Sequence, residues 1–143
     1  MKISAKSRYA LRLMTDIAEN GQDTPVSLRD VAVRQEISMK YLESITALLV
    51  KAGLLESARG AYGGYRLALP ADSITVRDIL LAVEDPLTDA PCDAACPRAK
   101  ECDARLFWND LSEQTDKFLA SVTLRDLLAK KKKKTQQNDV WML

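Results

Sequence analysis

Near the start of the chain Tyr9, Ala10, Leu13, Met14, Ile17 and Ala18 fall three and four residues apart, so a helix from Ser4 to Asn20 has one apolar face. Gly21 follows as a natural stop. After a turn at Asp23, Thr24 and Pro25, Ser27 can cap a short helix, with Asp30 in the capping-box position and Val31 and Ala32 facing inward. That helix ends near Arg34. Gln35, Glu36 and Ile37 make a tight turn before Ser38, the cap of a third helix that runs to about Ala52. Its apolar stripe is Leu42, Ile45, Leu48 and Leu49, and Gly53 ends it. Two helices joined by so short a turn, the second with a polar outward face of Lys40, Tyr41, Glu43, Ser44 and Lys51, have the anatomy of a helix-turn-helix over about 28–51. Plain helix packing produces the same pattern, so the helices alone do not decide.

The period then changes. Leu54 to Ala58 and Tyr65 to Leu69 read as two short strands, and in the second Tyr65, Leu67 and Leu69 alternate with Arg66 and Ala68. The hairpin predicted over about 54–69 is a wing, with Arg59 and Tyr62 among glycines at its tip. Such a tip can approach a surface closely while Arg59 reaches into a narrow groove or onto phosphate. The glycines match neither GxGxxG nor GxxxxGK. Beyond Pro70, Thr75 caps a fourth helix with Asp78 in a capping box and Val76, Ile79, Leu80 and Val83 facing inward.

From Asp85 to Cys102 periodicity stops and prolines and cysteines collect, which predicts a long loop that needs a function or a ligand to order it. Helical spacing resumes at about Asp103. Trp108, Leu111, Thr115, Phe118 and Val122 approach a 3.5-residue seam, so this stretch is expected to be a dimerisation helix, the competing reading being that it folds back on its own domain. Thr123 to Asp126 open a short last helix that ends near Leu128, and the lysine run Lys130 to Lys134 begins a solvated, disordered basic tail. The expected fold class is mainly α with a small β-wing: a winged helix-turn-helix domain over 1–84, a cysteine loop over 85–102, a dimerisation helix and short last helix over 103–129, and a tail over 130–143.

A length of 143 residues, 47% of them apolar, allows one proper core rather than two. The net charge of +1 is unevenly spread: ten Lys and Arg face seven Asp and Glu up to Pro70, six face twelve from Ala71 to Ala129, and five face one thereafter. A mildly basic front permits phosphate contact there. The absence of histidine removes Ser-His-Asp triads, Cys-His dyads and HExxH sites, which counts against an enzyme. No apolar run approaches the roughly 20 residues of a membrane span, and the N-terminus is interrupted by charges where a signal peptide would be apolar, so a cytoplasmic protein with no membrane partner is expected.

Three cysteines in a reducing compartment argue against a disulfide framework. Cys92, Cys96 and Cys102 are close enough in sequence to converge on one metal centre. Structural zinc generally wants four Cys or His ligands, whereas iron-sulfur clusters also tolerate a carboxylate, solvent or an open iron. From spacing alone three readings stay open: a cluster, a thiol redox switch, and inert or zinc-binding cysteines.

The sequence resembles the IscR-like family of winged-helix regulators, which includes the NsrR and CymR branches. Four motifs carry the resemblance: Ser4-Ala5-Lys6-Ser7-Arg8-Tyr9-Ala10, Ile37-Ser38-Met39-Lys40-Tyr41-Leu42-Glu43, Arg59-Gly60-Ala61-Tyr62-Gly63-Gly64-Tyr65 and Trp108-Asn109-Asp110-Leu111. It implies a homodimer on double-stranded DNA whose recognition helices enter successive major grooves and whose wings touch the flanking minor grooves. The implied DNA contacts are Ser38, Lys40, Tyr41, Glu43, Arg59 and Tyr62, and the implied dimer interface includes Trp108, Leu111, Phe118 and Val122. It further implies an iron-sulfur cluster on Cys92, Cys96 and Cys102, 2Fe-2S rather than 4Fe-4S, that alters DNA binding. Where the IscR branch has a histidine after the cysteines this chain has Arg105, and where the NsrR branch has an aspartate in helix one it has Arg8. The fourth ligand is left open among Asp93, Glu101, Asp103, a partner group or none. The alternatives are a thiol-based or ligand-responsive regulator of cysteine metabolism without a cluster, and an iron-sulfur carrier that does not bind DNA.

Overall fold

The computed structural model describes the backbone of residues 2–88, 92 and 94–141, and the side chains of these up to residue 137. Helix α1 (Ala5–Asn20) starts at Ser4, whose Oγ accepts the Ser7 N–H at 3.1 Å. Helices α2 (Leu28–Gln35) and α3 (Met39–Lys51) begin in the same way at Ser27 and Ser38. Each cap satisfies an orphan backbone donor and contributes about 1 kcal/mol. Helix α2 is stopped by Glu36, which takes the left-handed conformation at φ 53°.

Strands β1 (Leu55–Ala58) and β2 (Gly64–Leu67) pair antiparallel, with Leu55 opposite Leu67 and Ala58 opposite Gly64. Leu69 lies outside the second strand, which is shorter than the alternation predicted. The hairpin is tied to the helices by Val26, which exchanges two backbone hydrogen bonds of 2.8 Å with Tyr65. Gly64 permits that approach, since a Cβ there would lie 2.3 Å from the Val26 carbonyl oxygen.

A 3-10 turn (Ala71–Ser73) leads to α4 (Val76–Val83), which opens with a reciprocal Thr75–Asp78 capping box. Helices α5 (Asp103–Ser121) and α6 (Leu124–Trp141) follow the cysteine loop. Leu13, Met14, Ile17, Leu42, Ile45, Leu49, Leu55, Ile74, Ile79 and Leu124 form a closed core from α1, α3, the hairpin, α4 and the first turn of α6. The architecture is thus mainly helical with a two-stranded wing and C-terminal helices. No described helix is long and apolar enough to cross a membrane.

Two expectations need correction. Val122 is not on the α5 seam: the backbone there is extended, and its carbonyl accepts the Val76 N–H at 2.8 Å while Leu124 N–H donates to Ile74 at 2.8 Å. The helix had to stop because Thr123 and Asp126 cap the next one reciprocally. Nor does the last helix end near Leu128 with a disordered tail beyond it, since α6 continues through the lysine run to Trp141. Lys and Gln are good helix formers, and extending a nucleated helix is much easier than starting one. Buried Leu124 anchors α6, and Lys131 reaches Glu19 of α1 at 2.7 Å. The solvated character holds, as Lys130 to Gln137 are all exposed.

Candidate nucleic-acid interface and cysteine loop

The turn between α2 and α3 is held from below by α1. Asp16, 3% exposed, accepts Arg34 Nη2–H at 2.7 Å and Nε–H at 3.1 Å, and Gln35 Nε2–H at 2.9 Å. Burial by itself pushes the Asp16 carboxyl up, but the hydrogen bonds from Arg34 and Gln35 and the Arg34 charge outweigh it and hold the group below its usual range. Arg12 binds both the side-chain and backbone carbonyl oxygens of Gln35 and lies over the Tyr9 ring. Tyr9 in turn meets Tyr41 of α3 edge-on, with centroids 5.4 Å apart. The end of α2 and the start of α3 are therefore each fixed to α1, the first at Arg34 and Gln35 and the second at Tyr41. Sequence reading passed over Asp16; its signal was a carboxylate on the inward stripe between Leu13 and Ile17.

Ser38, Lys40 and Glu43 are exposed in the first part of α3. Ser38 Oγ accepts the Tyr41 N–H at 3.2 Å, which leaves its own hydroxyl hydrogen free to donate. Tyr41 is half-buried against Tyr9 and the core, so it packs as well as presents. At the wing Arg59 is exposed and Tyr62 is 91% exposed. Gly63 closes the tip with an N–H to the Gly60 carbonyl at 3.0 Å.

The cations of the front domain divide by employment. Arg34 is committed to Asp16 and Arg66 to Glu56, and Arg12 to Gln35. Arg8, Arg29, Lys40, Lys51 and Arg59 are exposed and lack an ion pair among the described residues. Arg29 was not singled out in the sequence, and Arg8 only as a departure from the NsrR branch, because charge pattern does not tell a structural arginine from an available one.

The cysteine loop leaves α4 at Glu84, whose carboxylate accepts the buried Ser7 hydroxyl at 2.7 Å; hydrogen bonds from Ser4 and Ser7 hold it below the usual carboxylate range. Cys92 and Cys102 are half-buried, Cys96 is exposed, and all three are free thiols. Turns close between Cys96 and Ala99 and between Arg98 and Glu101, and Cys102 occupies the N-cap position of α5. Glu101 and Asp103 are exposed, and Asp93 lies outside the described residues. Among the described residues no three Cys, Asp or Glu side chains are drawn together as a metal site. The donor chemistry nevertheless suits a thiolate-held cluster, and a buried donor waits there. Arg105 Nη1–H reaches the Ala99 carbonyl at 2.9 Å, while its buried Nε–H finds no acceptor.

Helix α5 lies on α4 through the Arg77–Asp116 ion pair at 2.5 Å and a crevice between Leu80 and Thr115. Part of the expected seam therefore faces its own domain. Trp108 and Phe118 are exposed, and Leu111 is half-buried. Phe107, not anticipated, is 59% exposed, stacks edge-on with Trp108 at 5.1 Å, and falls within about 20° of Phe118 around the helix.

A family model described as Rrf2, iron-dependent transcriptional regulator, matches residues 3–130. The Rrf2 protein of Nitratidesulfovibrio vulgaris is 41% identical over 131 residues, covering 90% of this chain and 87% of that one. The HTH-type transcriptional regulator IscR of Vibrio campbellii is 39% identical over 130 residues, covering 90% and 77%. The solved structure of CymR, the global cysteine regulator of B. subtilis, superposes with a TM-score of 0.79 at 36% identity, covering 90% and 97%. T. potens IscR gives 0.76 at 35%, covering 91% and 88%. Winged helix, exposed α3 face and family match agree: the chain belongs to the Rrf2 family of transcriptional regulators.

Proposed function

We propose that this regulator binds its operator as a homodimer through α3 and the wing, and that Cys92, Cys96 and Cys102 hold an iron-sulfur cluster whose state sets DNA affinity. The observation that carries the reading is the exposed start of α3, braced by α1 and presenting Ser38, Lys40 and Glu43, together with the unpaired Arg59 at the wing tip. Lys40 and Arg59 supply phosphate attraction, Ser38 donates to phosphate, and Glu43 accepts from a cytosine amino group and rejects edges that offer only acceptors. Tyr41 and Tyr62 extend the contact, Tyr62 from the wing. Arg8 and Arg29 add charge to the same domain.

Trp108, Leu111 and Phe118, with Phe107, cover one another across the two copies, since α5 buries no side chain fully in its own domain. In this reading the regulator works in the cytoplasm, which the family match supports. When bound, a 2Fe-2S cluster supplies a centre that takes up one electron and is lost to oxidants. The three thiols are the donors and Cys102 brings the N-terminus of α5 to an anionic group. The relatives named IscR and the family's iron-dependent description support this.

A second reading is favoured by the CymR likeness and the three free thiols: reversible thiol oxidation, without a cluster, alters DNA affinity. The test is anaerobic purification with absorbance, iron and sulfide analysis, then titration of an operator selected from a random duplex pool before and after air exposure. Brown protein whose affinity changes as the colour bleaches supports the cluster. Colourless protein whose affinity responds to oxidant supports the thiol switch, and cluster-loaded protein that binds no duplex refutes the operator reading.

A further inference from the structure

Arg105 stands three residues after Cys102, on the first turn of α5, with its backbone N–H on the Cys102 carbonyl at 3.2 Å. Its side chain turns back over the cysteine loop instead of outward, because Nη1–H is bonded to the Ala99 carbonyl. That places the guanidinium over the turn between Cys96 and Cys102. Its Nε is the single buried side-chain polar atom without a hydrogen-bond partner among the described residues. A buried donor without a partner is unfavourable, so an acceptor that reached Nε would be held there. The neighbouring Glu101 and Asp103 are exposed and do not pair with it. Arg98 and Lys100 are also exposed, so their charges are screened by water, whereas that of Arg105 is partly sheltered.

A guanidinium has five N–H donors, no acceptor and a permanent charge, so Arg105 cannot ligate iron as a neutral imidazole does. What it offers is a donor and a positive charge held on the cysteine loop at Ala99, between Cys96 and Cys102 in the chain. We propose that Arg105 is a positioning residue for the cluster of the cysteine loop: Nε–H donates to a cluster or thiolate sulfur, and the guanidinium offsets the cluster's negative charge. A hydrogen bond to sulfur and a nearby cation both favour the more negative, reduced cluster, so Arg105 raises its reduction potential. The inference rests on the cluster reading above and adds what holds and tunes the group where no histidine is present.

The test compares wild-type protein, Arg105→Lys and Arg105→Met after anaerobic reconstitution with iron and sulfide. Iron and sulfide per chain, the midpoint potential by spectroelectrochemical titration, and helicity by circular dichroism are read for each. Arg105→Met is expected to lower the reduced-to-oxidised ratio at fixed poise about tenfold, a shift of about 59 mV for a one-electron couple. Arg105→Lys keeps the charge but lacks the Nε donor, and is expected to shift less in the same direction. Should the methionine variant fail to fold, the lysine variant decides. Normal loading with an unchanged midpoint in the folded variants overturns the role of Arg105 and leaves the cluster standing; wild-type protein that takes up no iron overturns both.

Discussion

Asp16 of α1 and Arg34 of α2 are joined by two hydrogen bonds, of 2.7 and 3.1 Å, with the carboxylate almost wholly out of water and the arginine side chain 40% exposed. Arg34→Ala leaves the carboxylate half-satisfied beneath the turn that positions α3. Because the arginine is partly solvated the expected loss is about 1–3 kcal/mol at neutral pH, read by urea denaturation. The Asp16 carboxyl titrates lower in the folded state than in the unfolded one, so its contribution is complete above about pH 4 and is lost as pH falls through the folded value. The gap between wild type and Arg34→Ala should therefore narrow towards pH 2; a gap that is constant with pH counts against the ion pair.

On the DNA side, Arg59→Ala and Lys40→Ala are expected to weaken binding across sequences and each to flatten the salt dependence by about one unit of slope. Glu43→Gln should leave that slope nearly untouched and relax base choice at one position by about 1–3 kcal/mol. Fluorescence anisotropy on a panel of duplexes at several salt concentrations separates the two kinds of effect. An Arg59→Ala protein with unaltered slope would remove the wing from the interface.

Phe118→Asp, alone and with Phe107→Asp, is expected to yield a monomer in sedimentation velocity while the melting profile of the winged domain persists, because both rings are exposed outside its core. If the doubly substituted protein sediments as wild type does, the two copies meet elsewhere.

Leu124→Ala should cost about 2–5 kcal/mol, since this side chain is 0% exposed and joins α6 to the core. Lys131→Ala, which removes only the exposed pair with Glu19, should change the unfolding free energy by less than about 1 kcal/mol. Thermal melts of the two variants give the comparison, and equal effects would contradict the way α6 is anchored.

Local chemistry was largely legible. The caps expected at Ser27, Ser38 and Thr75 are where a side chain three residues from its target settles the backbone, and each helix starts there, while Ser4, read only as the first residue of its helix, caps α1 in the same way. Capping at Asp30 was only half right: Ser27 accepts its N–H at 3.2 Å, but no reciprocal bond forms. The seam was misread at Val122 because a 3.5-residue count continues through a helix end as easily as through a helix. The last helix was expected but its length was missed, since the polar composition beyond Leu128 was taken as disorder, although lysine favours helix once a buried leucine anchors the first turn. The Asp16–Arg34 pair joins residues eighteen apart, and only the packing of α2 on α1 reveals it.

The bridge at Thr75 and Thr123 turns the chain between them into a closed ring, with α4, the cysteine loop and α5 as its circumference and two backbone hydrogen bonds as its clasp. Helix α5 then runs as an arm from the clasp to Cys102, held on the way by Arg77 at Asp116 and by Thr88 at Ser112. Its 19 residues give an arm of about 28 Å, so one degree of rotation at the clasp would move the Cys102 end by about half an ångström. The same arm carries Phe107 near its Cys102 end and Phe118 near the clasp. In the homodimer proposed above, a change at the thiols would reach the other copy through Phe107 more than through Phe118.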